Sequence, residues 1–304
     1  MTEWITNPPP WPGGARCAVA VTFDIDTDSL IHLEHRDRAP DLVATTSWLR
    51  YDEVAVPRIL DLYRRLEIRQ SFFYPAWCME NYPELVEAIL KDGHEIGHHG
   101  YIHENYNQLP ADEQEAFFVR AIETIERMTG AKPRGFRAPV YNFSRATAGL
   151  LAKYGFLYDS SLMTDDVPHM VDTDGGSFVE IPGHWPMDDW PQYVHAPDFG
   201  YQMTVRSPED ACAVYRSEFE VAYEAGGLWM GVWHPWVSAR PARLKAIEAM
   251  LLDFRARGDV WFPTLEEIAT HMRKIEADGS YIPRRIRLPY YRQPIDPSFL
   301  PRKP

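Results

Sequence analysis

Ala18-Val19-Ala20-Val21-Thr22-Phe23-Asp24-Ile25-Asp26 passes from an apolar, β-rich run directly into two acids. Residues 16–23 read as a buried strand. Side chains alternate along a strand, so Asp24 and Asp26 point to the same side. Two carboxylates on one face are costly when close unless a cation neutralises one of them. Taken alone, the same residues also fit a solvated turn with an Asx cap.

Outward from this strand the pattern alternates. After a long polar stretch, residues 53–66 place Ile59, Leu60, Leu62, Tyr63 and Leu66 at helical spacing, and residues 69–74 read as a strand. Pro83–Lys91 is a short helix closed at Gly93, residues 94–98 a strand, and Ala111–Thr129 an amphipathic helix ended by Gly130. Further on, helices are expected at 144–154, 208–225, 241–257 and 264–275, with strands at 178–181 and Leu228–Trp233. The spacings Ser207/Asp210 and Thr264/Glu267 fit capping boxes. Such alternation argues for an α/β fold with a parallel sheet, either barrel or doubly wound. No GxGxxG or Walker motif is present, which disfavours nucleotide-binding versions. In a barrel the functional residues sit at the C-terminal ends of strands.

The chain has 304 residues, 45% hydrophobic and 25% charged, which excludes disorder over most of its length. Its net charge of −13 repels phosphate backbones, so no nucleic-acid partner is expected. Cys17, Cys78 and Cys212 form no CxxC pair, which excludes a zinc ribbon or disulfide framework and suits a reducing compartment. The N-terminal residues show neither a basic nor an apolar signal region, and no membrane-spanning run occurs; a cytoplasmic location is the expectation. Residues 1–279 are expected to form one domain, with a long loop at 27–52 as a candidate lid or binding loop. Residues 280–304 hold six prolines, six basic residues and one acid. They read as an extended basic arm packed on its own body or a neighbour's, and a homo-oligomer is expected.

Four of the eleven histidines fall within Gly93-His-Glu-Ile-Gly-His-His-Gly-Tyr-Ile-His103. His99 and His103 are spaced so that two imidazoles can reach one ion from a helical turn or tight loop. Gly97 and Gly100 permit unusual backbone angles around them. Two imidazoles plus one carboxylate suit Zn²⁺ or a related divalent ion and leave positions open for water and substrate. Two further segments stand out, Gly135-Phe136-Arg137-Ala138-Pro139-Val140-Tyr141 and Trp229-Met230-Gly231-Val232-Trp233-His234-Pro235. Singly, Arg137 fits an ordinary surface cation and His234 a structural histidine.

Together the four segments resemble the polysaccharide deacetylase superfamily, the NodB-homology domain, over about residues 19–269. They are most similar to its signal-less branch of helicobacter-type peptidoglycan deacetylases, cyclic imide hydrolases and allantoinases. The resemblance implies a distorted parallel (β/α) barrel and a metal-dependent hydrolase of non-peptide C–N bonds. It implies Asp24 as base, Arg137 orienting it, His234 as general acid, and Asp26, His99 and His103 as ligands of one divalent ion. Zn²⁺ is the first expectation, with Co²⁺, Ni²⁺, Mn²⁺ or Fe²⁺ as alternatives. Where the family has adjacent aspartates, Ile25 intervenes here. The family's Arg-x-Pro-Tyr becomes Arg-Ala-Pro-Val-Tyr, which leaves the oxyanion N–H to Val140 or Tyr141. The acid that orients His234 stays open within Pro186-Met187-Asp188-Asp189-Trp190. Allantoinases of the branch tend to lose the second histidine; His103 argues for a retained metal.

Trp190 and Trp77 are expected to offer aromatic faces to the substrate, in a confined and largely apolar pocket. The partner is then a small molecule, with no membrane involved. A small soluble amide or cyclic imide is ranked first, because peptidoglycan lies outside the cytoplasm. N-deacetylation of an N-acetylglucosamine-containing glycan is the alternative, and a catalytically inactive binding protein the third reading.

Overall fold

A computed structural model describes residues 4–41, 50–291, 293 and 295–299. Part of the expected loop (42–49) and the end of the expected arm (300–304) lie outside the described residues. The strands in chain order are β1 (Cys17–Asp24), β2 (Ser71–Tyr74), β3 (Glu95–His98), β4 (Gly135–Phe136), β5 (Tyr158–Asp159) and β6 (His169–Asp172). They continue with β7 (Ser177–Glu180), β8 (His195–Ala196), β9 (Tyr201–Gln202), β10 (Leu228–Trp233), β11 (Val260–Trp261) and β12 (Arg285–Arg287). The α-helices begin with α1 (Ser29–Glu34), α2 (Asp52–Arg65), α3 (Ala76–Asn81), α4 (Pro83–Lys91), α5 (Ala111–Thr129) and α6 (Thr147–Lys153). They end with α7 (Trp190–Tyr193), α8 (Pro208–Ala225), α9 (Pro235–Ser238), α10 (Pro241–Arg255) and α11 (Leu265–Ala277).

All eight residues of β1 are buried, as a continuous apolar run between two covered faces requires. Val19, Val21 and Phe23 pack with Ile59 of α2 and Phe219 of α8, whereas Ala18 and Ala20 pack with Ile268 and Met272 of α11. α11 starts on the expected capping box, with the Thr264 hydroxyl accepting from Glu267 N and the Glu267 carboxylate accepting from Thr264 N. Pro57 lies inside α2 and removes one backbone donor without ending the helix.

The main sheet runs β10-β1-β2-β3-β4-β5-β7-β6-β12, with β11 also pairing β1; only the β6–β7 pair is antiparallel. The α/β class and parallel order agree with expectation, but among the described residues the sheet does not close into a barrel. The free side of β10 is occupied instead: Asp188 bridges Val232, and Asp189 N donates to Val232 O at 3.2 Å. A short turn and α7 therefore stand where a closing strand would lie. Within 27–52, α1 breaks what reads in sequence as one loop. Within 280–304, β12 pairs in parallel with β6 and its Arg285 binds Asp172 at 2.6 Å. No helix among the described residues is long and apolar enough to cross a membrane.

Candidate active site

β1 delivers its two acids at its C-terminal end. Ile25 N donates to Phe73 O at 2.8 Å and the Ile25 side chain is buried in the core, so Asp24 and Asp26 both turn the other way, into one pocket. β3 ends beside them. Its alternation sends His98 into the core, where Nε2 donates to Phe118 O and Nδ1 accepts from Gly100 N. Burial pulls the pKa of His98 down to about 4 and that of His94 likewise, so these two histidines are neutral packing residues.

His99 and His103 face the acids. His99 Nδ1 donates to Arg137 O at 2.7 Å, which leaves the Nε2 lone pair aimed at Asp26 Oδ1, 3.5 Å away. Burial lowers the His99 pKa to about 3, which keeps the ring in this neutral, ligating form. His103 Nε2 lies 3.5 Å from Asp26 Oδ2. Its backbone has φ +67°, in a turn whose Tyr101 and Ile102 N–H groups donate to the Glu104 carboxylate at 2.8–3.0 Å. Sequence reasoning passed over Glu104; the only signal was an acid directly after a ligand histidine.

The ligand atoms of Asp26, His99 and His103 all lie within 4.8 Å of one another. Asp26 Oδ1 is buried with no hydrogen-bond partner. Atoms sharing a tetrahedral ion at about 2.0–2.1 Å sit roughly 3.3 Å apart, and each imidazole Nε2 stands 3.5 Å from an Asp26 oxygen, that of His99 from Oδ1 and that of His103 from Oδ2. The three residues fit a divalent ion of the zinc type.

Two acid–base pairs flank this triad. On one side Arg137 Nη1 binds Asp24 Oδ1 at 2.6 Å and Thr22 Oγ1 at 3.0 Å, while Nη2 binds Ser160 Oγ at 3.1 Å and the guanidinium lies 4.1 Å from the Phe73 ring centroid. Burial works against the charge of Arg137, yet Asp24, Tyr141 and Tyr158 together raise its pKa above the usual value. On the other side His234 Nδ1 donates to Asp189 Oδ1 at 2.7 Å, and Asp189 Oδ2 accepts from His234 N and Ser238 Oγ. Burial opposes the imidazolium, but Asp189, Asp26 and Asp188 together raise its pKa well above the usual histidine value. Asp189 is thus the acid next to His234. Its neighbour Asp188 accepts from Tyr141 Oη at 2.9 Å, and burial raises it to about 7.

Between Arg137 and Tyr141 the chain makes a tight turn with Val140 at φ +52° and Tyr141 at φ +55°. Tyr141 N already donates to Ala138 O at 2.9 Å, so of the two amides expected to meet an oxyanion the one at Val140 is left for it. The pocket has a volume of about 190 Å³ and is walled by Leu30 of α1, Trp185, Trp190, Tyr201 and Met203. The Trp190 ring sits 5.0 Å from that of His234. Trp77 does not line this pocket; its ring stands 4.9 Å from His32 and supports α1, the helix that covers the site.

A buried triad of candidate metal ligands between a carboxylate–arginine pair and an imidazole–carboxylate pair, at the C-terminal ends of parallel strands, has the make-up of a hydrolase-type centre. The polysaccharide deacetylase family model matches residues 18–158. The peptidoglycan deacetylase of Helicobacter pylori is 31% identical over 249 residues, which cover 73% of this chain and 85% of that protein. A solved Mycobacterium smegmatis structure assigned to the polysaccharide deacetylases is 35% identical, with a TM-score of 0.86 over 95% of this chain and 100% of that one. An allantoinase, 23% identical with a TM-score of 0.77 over 91% of this chain and 96% of its own, shares the fold. The chain belongs to the polysaccharide deacetylase family, hydrolases acting on C–N bonds other than peptide bonds.

Proposed function

We propose that the chain is an N-deacetylase that cleaves the acetamide of an N-acetylated sugar. The observation that carries the hydrolytic part is that Asp24 and His234 both abut the Asp26–His99–His103 triad, with Asp24 Oδ2 3.8 Å from His99 Nε2 and His234 Nε2 3.4 Å from Asp26 Oδ2. The 31% identity to the Helicobacter pylori peptidoglycan deacetylase supports the acetamide as the bond cleaved, ahead of the cyclic imide ranked first from sequence.

Asp26, His99 and His103 would hold the ion, which when bound supplies Lewis acidity and lowers the pKa of an attacking water. Asp24 removes the proton of that water, and Arg137, bound to its Oδ1, holds the carboxylate in place. The Val140 N–H donates to the developing oxyanion, a contact worth about 3–4 kcal/mol in sites of this kind. His234, held by Asp189, protonates the departing nitrogen from Nε2. Leu30, Trp190 and Tyr201 exclude bulk water from the reacting atoms.

A second reading, hydrolysis of a small cyclic imide, is favoured by one observation: α1 and the β8–β9 hairpin bring Leu30 and Tyr201 over the pocket, which suits a compact substrate. Paired variants test the scheme. Asp24→Asn is expected to lower acetate release by about 10²–10⁴-fold with metal content unchanged. His103→Ala is expected to lower metal content itself. Unimpaired turnover in both variants would refute the roles assigned.

A further inference from the structure

Beside the catalytic pocket, across the edge-to-face pair Trp190–Trp236 (centroids 5.6 Å apart), lies a second groove of about 510 Å³. Its walls carry three arginines, Arg206, Arg240 and Arg243, over Tyr193, His195 and Trp236. In a chain with 44 acidic and 31 basic residues, arginines should find carboxylates readily. Arg64, Arg65 and Arg285 do so. Among the described residues these three do not. Arg240 lies 3.6 Å over the Tyr51 ring and donates to Trp236 O, and Arg243 lies 4.0 Å over Tyr193 and donates to Val237 O. The Arg206 side chain is exposed. No acid occupies the first turn of α10, which Arg240 precedes. Burial pulls the pKa of Arg243 below its usual value, opposed by Tyr193 and Asp189 and aided by the nearby charge of Arg240.

Clustered guanidiniums with free donors over aromatic rings match the chemistry of a phosphate or a carboxylate. The groove adjoins the catalytic pocket: Trp190 lines one and packs on Trp236 of the other, and the β8–β9 hairpin gives Tyr201 to one and His195 to the other. We propose that this groove receives a phosphate or carboxylate substituent of the substrate whose amide is cleaved next door, so that the enzyme prefers anionic N-acetylated sugars over neutral ones. The proposal rests on the adjoining pocket being the site of amide hydrolysis.

Calorimetric titration of the metal-loaded protein tests it with N-acetylglucosamine, N-acetylglucosamine 6-phosphate and N-acetylmuramic acid, the last two separating phosphate from carboxylate. At least one anionic sugar is expected to bind about tenfold or more tightly than the neutral one. Arg206→Gln, at an exposed position, should weaken that preference with the melting temperature unchanged, and Arg206→Gln with Arg240→Gln should remove it. Equal binding of all three sugars, no binding of any, or a preference that survives both substitutions overturns the proposal. Acetate release from each sugar is read separately and bears only on the hydrolytic function.

Discussion

Val140 lines the pocket at φ +52°, a backbone conformation that a β-branched residue adopts only under strain. Such strain costs of order 1–3 kcal/mol, more than the roughly 0.5–1 kcal/mol of chain entropy that glycine would cost. The side chain is 47% exposed, so little burial is lost with it. Val140→Gly should therefore raise stability by about 1 kcal/mol and keep the N–H; a lower melting temperature would contradict the strained turn. Glu104 works on the metal side of the site. Its carboxylate accepts the two backbone N–H groups that shape the turn before His103. Glu104→Ala should weaken metal binding by about 10–100-fold in chelator competition, as removal of ligand-supporting groups does, and an unchanged affinity would show that His103 needs no such support.

At the scale of elements, neighbouring strands β5 and β7 set Asp159 directly opposite Glu180, both fully buried. Burial raises the pKa of each, and the charge of Asp159 pushes Glu180 higher still. The protonated pair stabilises the fold fully below the ordinary carboxylate range, and this contribution is lost as pH rises through the raised value. Each unit of upward shift corresponds to about 1.4 kcal/mol. Glu180→Gln, which keeps the shape without the charge, should melt above the wild type at alkaline pH, with the gap closing toward pH 4. A pH-independent gap would show that the pair ionises freely. Elements also mark what local sequence can reveal. Strand alternation and the spacing of His99 and His103 act over a few residues, so the Asp24, Asp26, His99 and His103 cluster was legible along with most helices and the long strands. The two-residue strands β4 and β5 were not, because partners far along the chain define them, and the β8–β9 hairpin was not, because two residues per strand are too few to show alternation. The choice between Asp188 and Asp189 likewise depends on a bridge to Val232, some forty residues away.

Over the whole molecule, the open edge at β10 and the pocket chemistry are connected. The segment that bridges β10 also carries Asp189 to His234 and Trp190 to the pocket wall, so the same departure from a closed barrel builds this side of the pocket. Periodicity could show a parallel α/β sheet but not this edge, since closure is decided by what packs against β10. The most direct test of a deacetylase built on the Asp26, His99 and His103 triad is the rate of acetate release from an N-acetylated chito-oligosaccharide as divalent metal is titrated into chelator-stripped protein. The rate should rise from near zero to a plateau at one metal per chain. Acetate release that is independent of metal, or its absence at every metal ratio, would contradict it.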